Sequence, residues 1–461
     1  MNRMRRMILP LALMLNACVP VTPSDTASRG VIVDSTFPPM KTFGAPRPSR
    51  PVKSNNDLAL NFIELSFRLK SGRDLPVFKR FEQPITVRVT GAPPSSLGSD
   101  LTKLLHRMRT EANIKISQTS ANATANVTIQ AVSRAEIRRA LPHAACFVVP
   151  NISSIDEYRS ARRTAKTNWA NLKKREQLAI FLPNDASPQE VRDCLHEELA
   201  QAIGPLNDLY RLPDSVFNDD NVHTVLTGFD MMMLKAYYSP ELRSGMTRGQ
   251  VSQALPHILN RINPAGNGRA AKFATRTPKA WAQAVQTALG PGSKTSQRIT
   301  AANQALKIAN AMGWNDHRLA FAHYASGRIM LASDPKAAFQ HFVSADRYYA
   351  ATPGADLHRA YVATQLAAHA VTQGDGVRAL ALIGPHIDRA ARSENAVLLS
   401  TLLLLRAEAL DLTGRSAEAR TVRLDSLGWA RYGFGPDWAV RAKLREISSL
   451  SPLKKRPSLT A

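Results

Sequence analysis

The sequence predicts an α/β domain followed by an all-α helical domain, on three observations. From residue 55 to 245 short helical and strand-like signals alternate, which indicates helices packed on a sheet. From about 296 to 450 the chain is Ala- and Leu-rich with helical periodicity throughout and no strand signal. Ahead of both, residues 19–54 are rich in Pro, Ser and Thr without sustained apolar periodicity and read as a flexible tether. At 461 residues and 44% hydrophobic composition the chain is long enough for two or three domains.

The N-terminal "MNRMRRMILPLALMLNAC" opens on Arg3, Arg5 and Arg6, continues with a short apolar run and closes on small residues before Cys18. That is the layout of a secretory signal, residues 1–18, too short to span a membrane. Leu15-Asn16-Ala17-Cys18 resembles the bacterial lipobox, which implies cleavage before Cys18 and a lipid on that cysteine. Val19 follows where an Asp would retain the protein at the inner membrane, so the expected place is the outer membrane, facing the periplasm. The formal net charge of +24 suggests an anionic partner. Export excludes nucleic acid and favours envelope polymers or headgroups. The two other cysteines, Cys146 and Cys194, would then meet an oxidising compartment. Cys146 begins a strand-like run and Cys194 lies one turn into a helix, so packing that helix on the sheet predicts a disulfide between them.

Within 55–245, "DLALNFIELSF" has helical spacing, "PITVRVTG" alternates as a strand and "SSLGSDLTKLLHRMRTEAN" is amphipathic. "NIKISQT" and "ANVTIQAVS" read as strands, "SRAEIRRAL" as a short basic helix, and "ACFVVPN" and "QLAIFLPN" as strands flanking a polar segment. Next comes "SPQEVRDCLHEELAQAIGPLND". Ser187 as N-cap, Pro188 at the first helical position and Glu190 at the third make a capping box, and Gly204-Pro205 ends the helix. Glu197 and Gln201 lie four apart on one face.

Two ligands at i and i+4, a glutamate beside the first and a glycine turn delivering a third are the parts of a zinc-protease helix. Against H-E-x-x-H-x-x-G-x-x-H, the chain reads Glu197-Glu198-Leu199-Ala200-Gln201-Ala202-Ile203-Gly204-Pro205-Leu206-Asn207. The frame fits, and all three ligand positions differ. Starting the pattern at His196 puts Ala200 at the second ligand. The next segment, "DSVFNDDNVHTVLTGFDMMMLKAYYSPELRSGM", resembles the stretch after the zinc helix in metzincins. Ser215-Val216-Phe217 stands at the tight turn beneath the metal, and Leu226 and Asp230 introduce a final helix that runs to Tyr238. These phrases, with "CLHEELAQAIGPLND", "SVFND" and "YYSPELRSGM" in order, resemble the proteobacterial lipoprotein family called domain of unknown function 2927. The resemblance implies a zincin-like (metzincin-like) α/β fold over 55–245 and implies no activity.

No metal or other cofactor is expected. Glu197, Gln201 and Asn207, with Asp208 adjacent, offer one strong ligand and neutral amides where zinc favours imidazole or thiolate. The predicted role of Glu198 and Gln201 is to hydrogen-bond the turn that a metal would otherwise hold, and any cation facing Glu197 is expected from segment 158–176. If the domain is active, Glu198 and His196 are the candidate acid–base residues. His223, Ser215 and Asp230 are weaker ones, without a nucleophile elbow or triad context. The basic run "YRSARRTAKTNWANLKKRE", which precedes the strand expected to border a cleft, offers Arg162, Arg163, Lys173, Lys174 and Arg175 to an anionic envelope polymer. Tyr158 and Trp169 interleave with those charges.

After residue 246, "RGQVSQALPHILNRI" and "PKAWAQAVQTAL" read as connecting helices over 246–295. Residues 296–450 resemble degenerate tetratricopeptide units, with Gly327, Ala338, Ala345, Ala407, Ala409 and Ala419 where paired helices touch and a unit near ~34 residues. Such stacks commonly receive a peptide or partner protein. The basic end, 451–461, is expected to fray. Together these readings predict a membrane-anchored, inactive metzincin-like domain with a helical-repeat scaffold for protein or polymer binding. The rival classes are an active hydrolase acting on peptide or peptidoglycan, and an assembly scaffold without substrate.

Overall fold

The computed structural model describes residues 37–44 and 48–454. The signal segment with Cys18, the tether up to residue 36 and the tail from 455 lie outside the described residues.

The first domain is built on a five-stranded sheet of order β2-β1-β3-β5-β4. Its strands are β1 (Ile85–Gly91), β2 (Ile116–Gln118), β3 (Val127–Val132), β4 (Phe147–Pro150) and β5 (Leu178–Pro183). All neighbours pair in parallel except β4, which runs antiparallel to β5 at one edge. Every residue of β5 is buried, which explains its uninterrupted apolar sequence: helices or loops cover both faces. Leu178, Ile180 and Leu182 enter one core with α1 (Asn55–Ser66), α2 (Leu97–Thr110) and α5 (Pro188–Ile203). Ala179 and Phe181 enter a second core with α3 (Arg134–Ala140) and α4 (Ile155–Ala161). The expected cleft strand is therefore misplaced. The strand after the basic run, β5, is interior, and the edge belongs to β4, which precedes the run.

α6 (Gly228–Tyr237) and α7 (Arg248–Ile262) complete this domain. α7, expected as a connector, sends Val251, Leu255, Ile258 and Leu259 into the same core as α1 and α6. α8 (Lys279–Leu289) instead packs Trp281 and Val285 with the helices after it. The boundary thus falls between 263 and 278.

The second domain is helical: α9 (Thr295–Ala311), α10 (His317–Met330), α11 (Pro335–Ala350), α12 (Asp356–Thr372), α13 (Gly376–Arg392), α14 (Ala396–Leu412), α15 (Ser416–Phe434) and α16 (Asp437–Ser448). The leading helices of successive pairs begin at 295, 335, 376 and 416, so a pair recurs every 40 or 41 residues. That exceeds the ~34-residue unit expected, because helices α11 to α15 alone run 16 to 19 residues each. Ala338, Ala345, Ala407, Ala409 and Ala419 are fully buried where helices cross. A Cβ at Gly327 would lie 2.7 Å from the Phe342 ring.

Residues 37–44 and 48–54 correct the tether reading. Phe43 stacks on Trp429 at 4.5 Å, the Lys41 amide donates to Gly428 O at 3.0 Å and Arg431 donates to Pro38 O at 2.8 Å. Farther along, Lys53 pairs with Asp214 at 3.1 Å. The strap passes close to two helices at glycines, so close at Gly228 that a side chain cannot fit. A Cβ on Gly228 would sit 2.0 Å from Ser49 O, and one on Gly428 would sit 3.1 Å from Pro39 O.

The two domains meet along α5 and the loop after it. Arg192 forms a buried ion pair with Glu394, Tyr432 donates to Asp100 at 3.0 Å and the Ala396 amide donates to Gln189 at 2.9 Å. Below them His358 meets Asp220 at 2.8 Å, and His317 contacts Tyr210 O at 2.6 Å.

Candidate functional site

α5 begins as its sequence dictates: Ser187 caps the Glu190 amide at 3.2 Å, with Pro188 in the first turn. The Glu190 carboxylate does not close the capping box. It pairs with Arg134 at 2.7 Å, an ionic partner outweighing a backbone amide. Cys194 on α5 is bonded to Cys146 at the head of β4, with Cα atoms 5.9 Å apart. At the far end Gly204 leaves room for Leu234, whose Cδ2 would lie 2.5 Å from a Cβ there.

Arg175 terminates the helix. Its guanidinium donates to the carbonyls of Gln201 at 2.8 Å and Ala202 at 2.6 Å and to that of Gly204, and Tyr238 Oη donates to Ile203 O at 2.8 Å. A cation at a helix C-terminus also meets the negative end of its dipole. Arg175 is only 2% exposed and is therefore no part of an anion-binding surface. Of the other four basic residues, Arg162 donates to Ala140 O, Lys174 pairs with Glu176, and Arg163 and Lys173 are exposed. Tyr158 packs against Phe147 and Phe181, and Trp169 lies under Arg175, so neither aromatic is laid out for a ligand.

Two of the three degenerate ligand positions bond to each other, and the third bonds elsewhere. Gln201 Nε2 donates to Glu197 Oε1 at 3.3 Å, and Asn207 Nδ2 donates to Glu64 O at 3.0 Å. Both amides thus face protein partners. Neither Glu198 nor Gln201 makes the predicted side-chain bond to the turn; Arg175 supplies that function. Asp208 is 3.4 Å from Lys70 Nζ, and Lys70 also pairs with Asp219. The cation of this site comes from the turn after α1, not from segment 158–176.

Electrostatics follow from that arrangement. Burial, reinforced by Asp208 and opposed by Lys70, pushes Glu197 up to about 8. Burial raises Asp208 to about 6 against the pull of Lys70. Burial works against the charged Lys70, yet Asp208 and Asp219 outweigh it and raise its pKa. Glu198 is pushed up by burial and then by Glu197. A zinc ion does not fit these residues: both amides donate to protein oxygens, the one carboxylate in frame is driven towards its neutral form, and an ammonium supplies the positive charge. Among the described residues no group of three or more His, Cys, Asp or Glu is arranged to hold a metal ion.

The acid–base candidates are held by hydrogen bonds within the domain. His196 Nδ1 accepts the Leu226 amide at 3.2 Å, and burial holds its pKa well below the ordinary value. Ser215 donates to Asp230 at 2.5 Å, and Asp230 also accepts from the amides of Val216 and Thr227, tying the Ser215–Phe217 turn to the head of α6. Burial raises Asp230 to about 6. His223 contacts Pro213 O at 3.0 Å, and burial lowers it to about 4.

A cleft of about 460 Å³ opens beside Asn207 and Asp208. Lys70, Asp219 and Arg211 line it and were not singled out from sequence, because no local pattern marks a lysine in "RLKSGRD" as the partner of residues 138 and 149 positions away. Glu198 and His196 are not among its lining residues.

No curated protein and no solved structure matches the chain. A family model described as "Protein of unknown function (DUF2927)" matches residues 55–257, the stretch that holds the sheet, the motif helix and most of α7.

Proposed function

We propose that this is a lipid-anchored protein of a bacterial cell envelope whose metzincin-like domain is a metal-free binding module joined to a tetratricopeptide-like scaffold. The observation that carries the reading is Lys70. Its ammonium lies between Asp208 and Asp219 and opposes the charge of Glu197, where the positive charge of an ion would be needed, and it removes the electrostatic reason for binding one. Support for the metzincin-like frame comes from α5 turning at Gly204, the Ser215–Phe217 turn braced by Asp230, and the final helix bonded through Tyr238 to the end of α5. Stacked helix pairs with alanine at their crossings support the scaffold role. The Arg192–Glu394 pair and the strap make the two parts one body, suited to presenting a ligand between them.

Metal analysis of purified protein equilibrated with zinc tests the reading. Substoichiometric zinc is expected, with cellular function unchanged by Glu198→Gln. Stoichiometric zinc coordinated through Glu197, with function abolished by Glu198→Gln, would replace it with an unusual metallohydrolase.

A further inference from the structure

The cleft beside the degenerate motif has two walls of different electrical character. One comes from the first domain. There the side chain of Asp208 is 3% exposed, its Oδ2 faces Lys70 and its Oδ1 has no hydrogen-bond partner. Asp219 completes the acidic end, while the remaining carboxylate, Glu64, is neutralised by Arg211 at 2.7 Å. The other wall comes from the end of the linker, bonded to the second domain through Thr275 and Thr277 on Arg318, and from the start of α8, where Arg276 and Lys279 are exposed and have no acidic partner among the described residues.

Lys70 is the movable part. Its side chain is 54% exposed although its ammonium serves two carboxylates. A buried carboxylate oxygen without a donor is costly, and an ammonium offering three N–H groups is the chemistry that satisfies it. The facing pair of cations is the matching chemistry for a carboxylate. A cleft of this volume holds a ligand of small-molecule size.

We propose that this cleft binds a small zwitterion, an amino acid or short peptide with free ends. Its ammonium displaces Lys70 from Asp208 and Asp219, and its carboxylate lies against Arg276 and Lys279. Lys70 is then an internal competitor that holds the acidic end closed until the ligand arrives. The ligand bridges the two domains, since each wall belongs to one of them. The inference rests on the reading of the domain as a metal-free binding module.

Calorimetric titration of the purified full chain with alanine, di-alanine and tri-alanine tests it. The longest of these spans about 10 Å when extended, so the series measures the separation of the two charged ends and separates an amino-acid ligand from a peptide. Saturable one-to-one binding of one member is expected, weakened at least tenfold when that member is N-acetylated or C-amidated. Asp208→Asn should erase the penalty for acetylation, and Arg276→Ala with Lys279→Ala should erase the penalty for amidation. Lys70→Ala should tighten binding at least threefold, a direction that loss of structure does not produce. Thermal melting of each variant verifies folding. Absence of binding across the series, indifference to both blocking groups, or weaker binding by folded Lys70→Ala would overturn the proposal. Zinc content is measured on the same preparation. Zinc-loaded protein sinks the metal-free reading whatever the peptides do, whereas zinc-free protein that ignores all three probes sinks this proposal alone.

Discussion

Arg192 on the motif helix and Glu394 in the turn between α13 and α14 form an ion pair in which both side chains are at least 96% buried. Glu394 holds φ +53° there, a left-handed conformation that Gly374 and Gly414 supply in equivalent turns. A non-glycine residue at that strained place is explained by its carboxylate. Removing Glu394 leaves the buried Arg192 only the more distant carboxylate of Asp100, 3.9 Å away, so Glu394→Ala should cost up to about 3–5 kcal/mol in urea unfolding. Replacing both residues by methionine should cost much less. Equal losses for the single and double variants would mean that the ionic contact contributes little.

Glu197→Gln should change the pH dependence of stability. Glu197 titrates at about 8 in the folded protein against 4.5 ordinarily, so between those values the folded state holds a proton that the unfolded chain has released. Its contribution is complete below pH 4.5 and is lost as pH rises through 8. The variant is therefore expected to match the parent near pH 4 and to gain on it as pH rises, by up to about 5 kcal/mol above pH 8. Parallel stability curves for the two proteins would show that burial of Glu197 is not what the geometry indicates.

The Cys146–Cys194 bond closes a loop 48 residues long and ties β4 to α5. Its reduction should lower stability by roughly 2–4 kcal/mol, chiefly through freedom returned to the unfolded chain. Alkylation mass spectrometry of untreated folded protein checks the bond, and two freely labelled thiols would remove it.

Cys18→Ser should move the protein from the membrane pellet to the soluble periplasmic fraction, because the lipobox-like end of the signal places that cysteine at the cleavage point. Membrane retention of the variant would point to a different means of attachment.

Local chemistry made much of the fold legible. Ser187, Pro188 and Gly204 bound α5, Ser133 and Glu136 form the capping box of α3, and "QLAIFLPN" is a strand buried along its whole length. Contacts between distant segments were not legible. Lys70 reaches Asp208 and Asp219 across the domain, and nothing near it in sequence announces this. Arg175 sits in a run of charges and reads as solvated, yet open carbonyls at the end of a helix drew it inside. α7 reads as a connector because its amphipathic pattern does not name the surface it covers. The strap was hidden by composition, since Phe43 and Lys41 find their places only against Trp429 and Gly428.

That strap has a mechanical consequence. Its residues lie between the N-terminal segment and α1, bonded first to α15 and then to the neighbourhood of α6. A pull transmitted through Phe37 reaches the helical half of the molecule before it reaches the sheet, even though the sheet is nearer in sequence. Tension from a fixed N-terminus would be spent on stripping residues 37–44 from α15, leaving α1 and the cleft undisturbed until that zipper had opened.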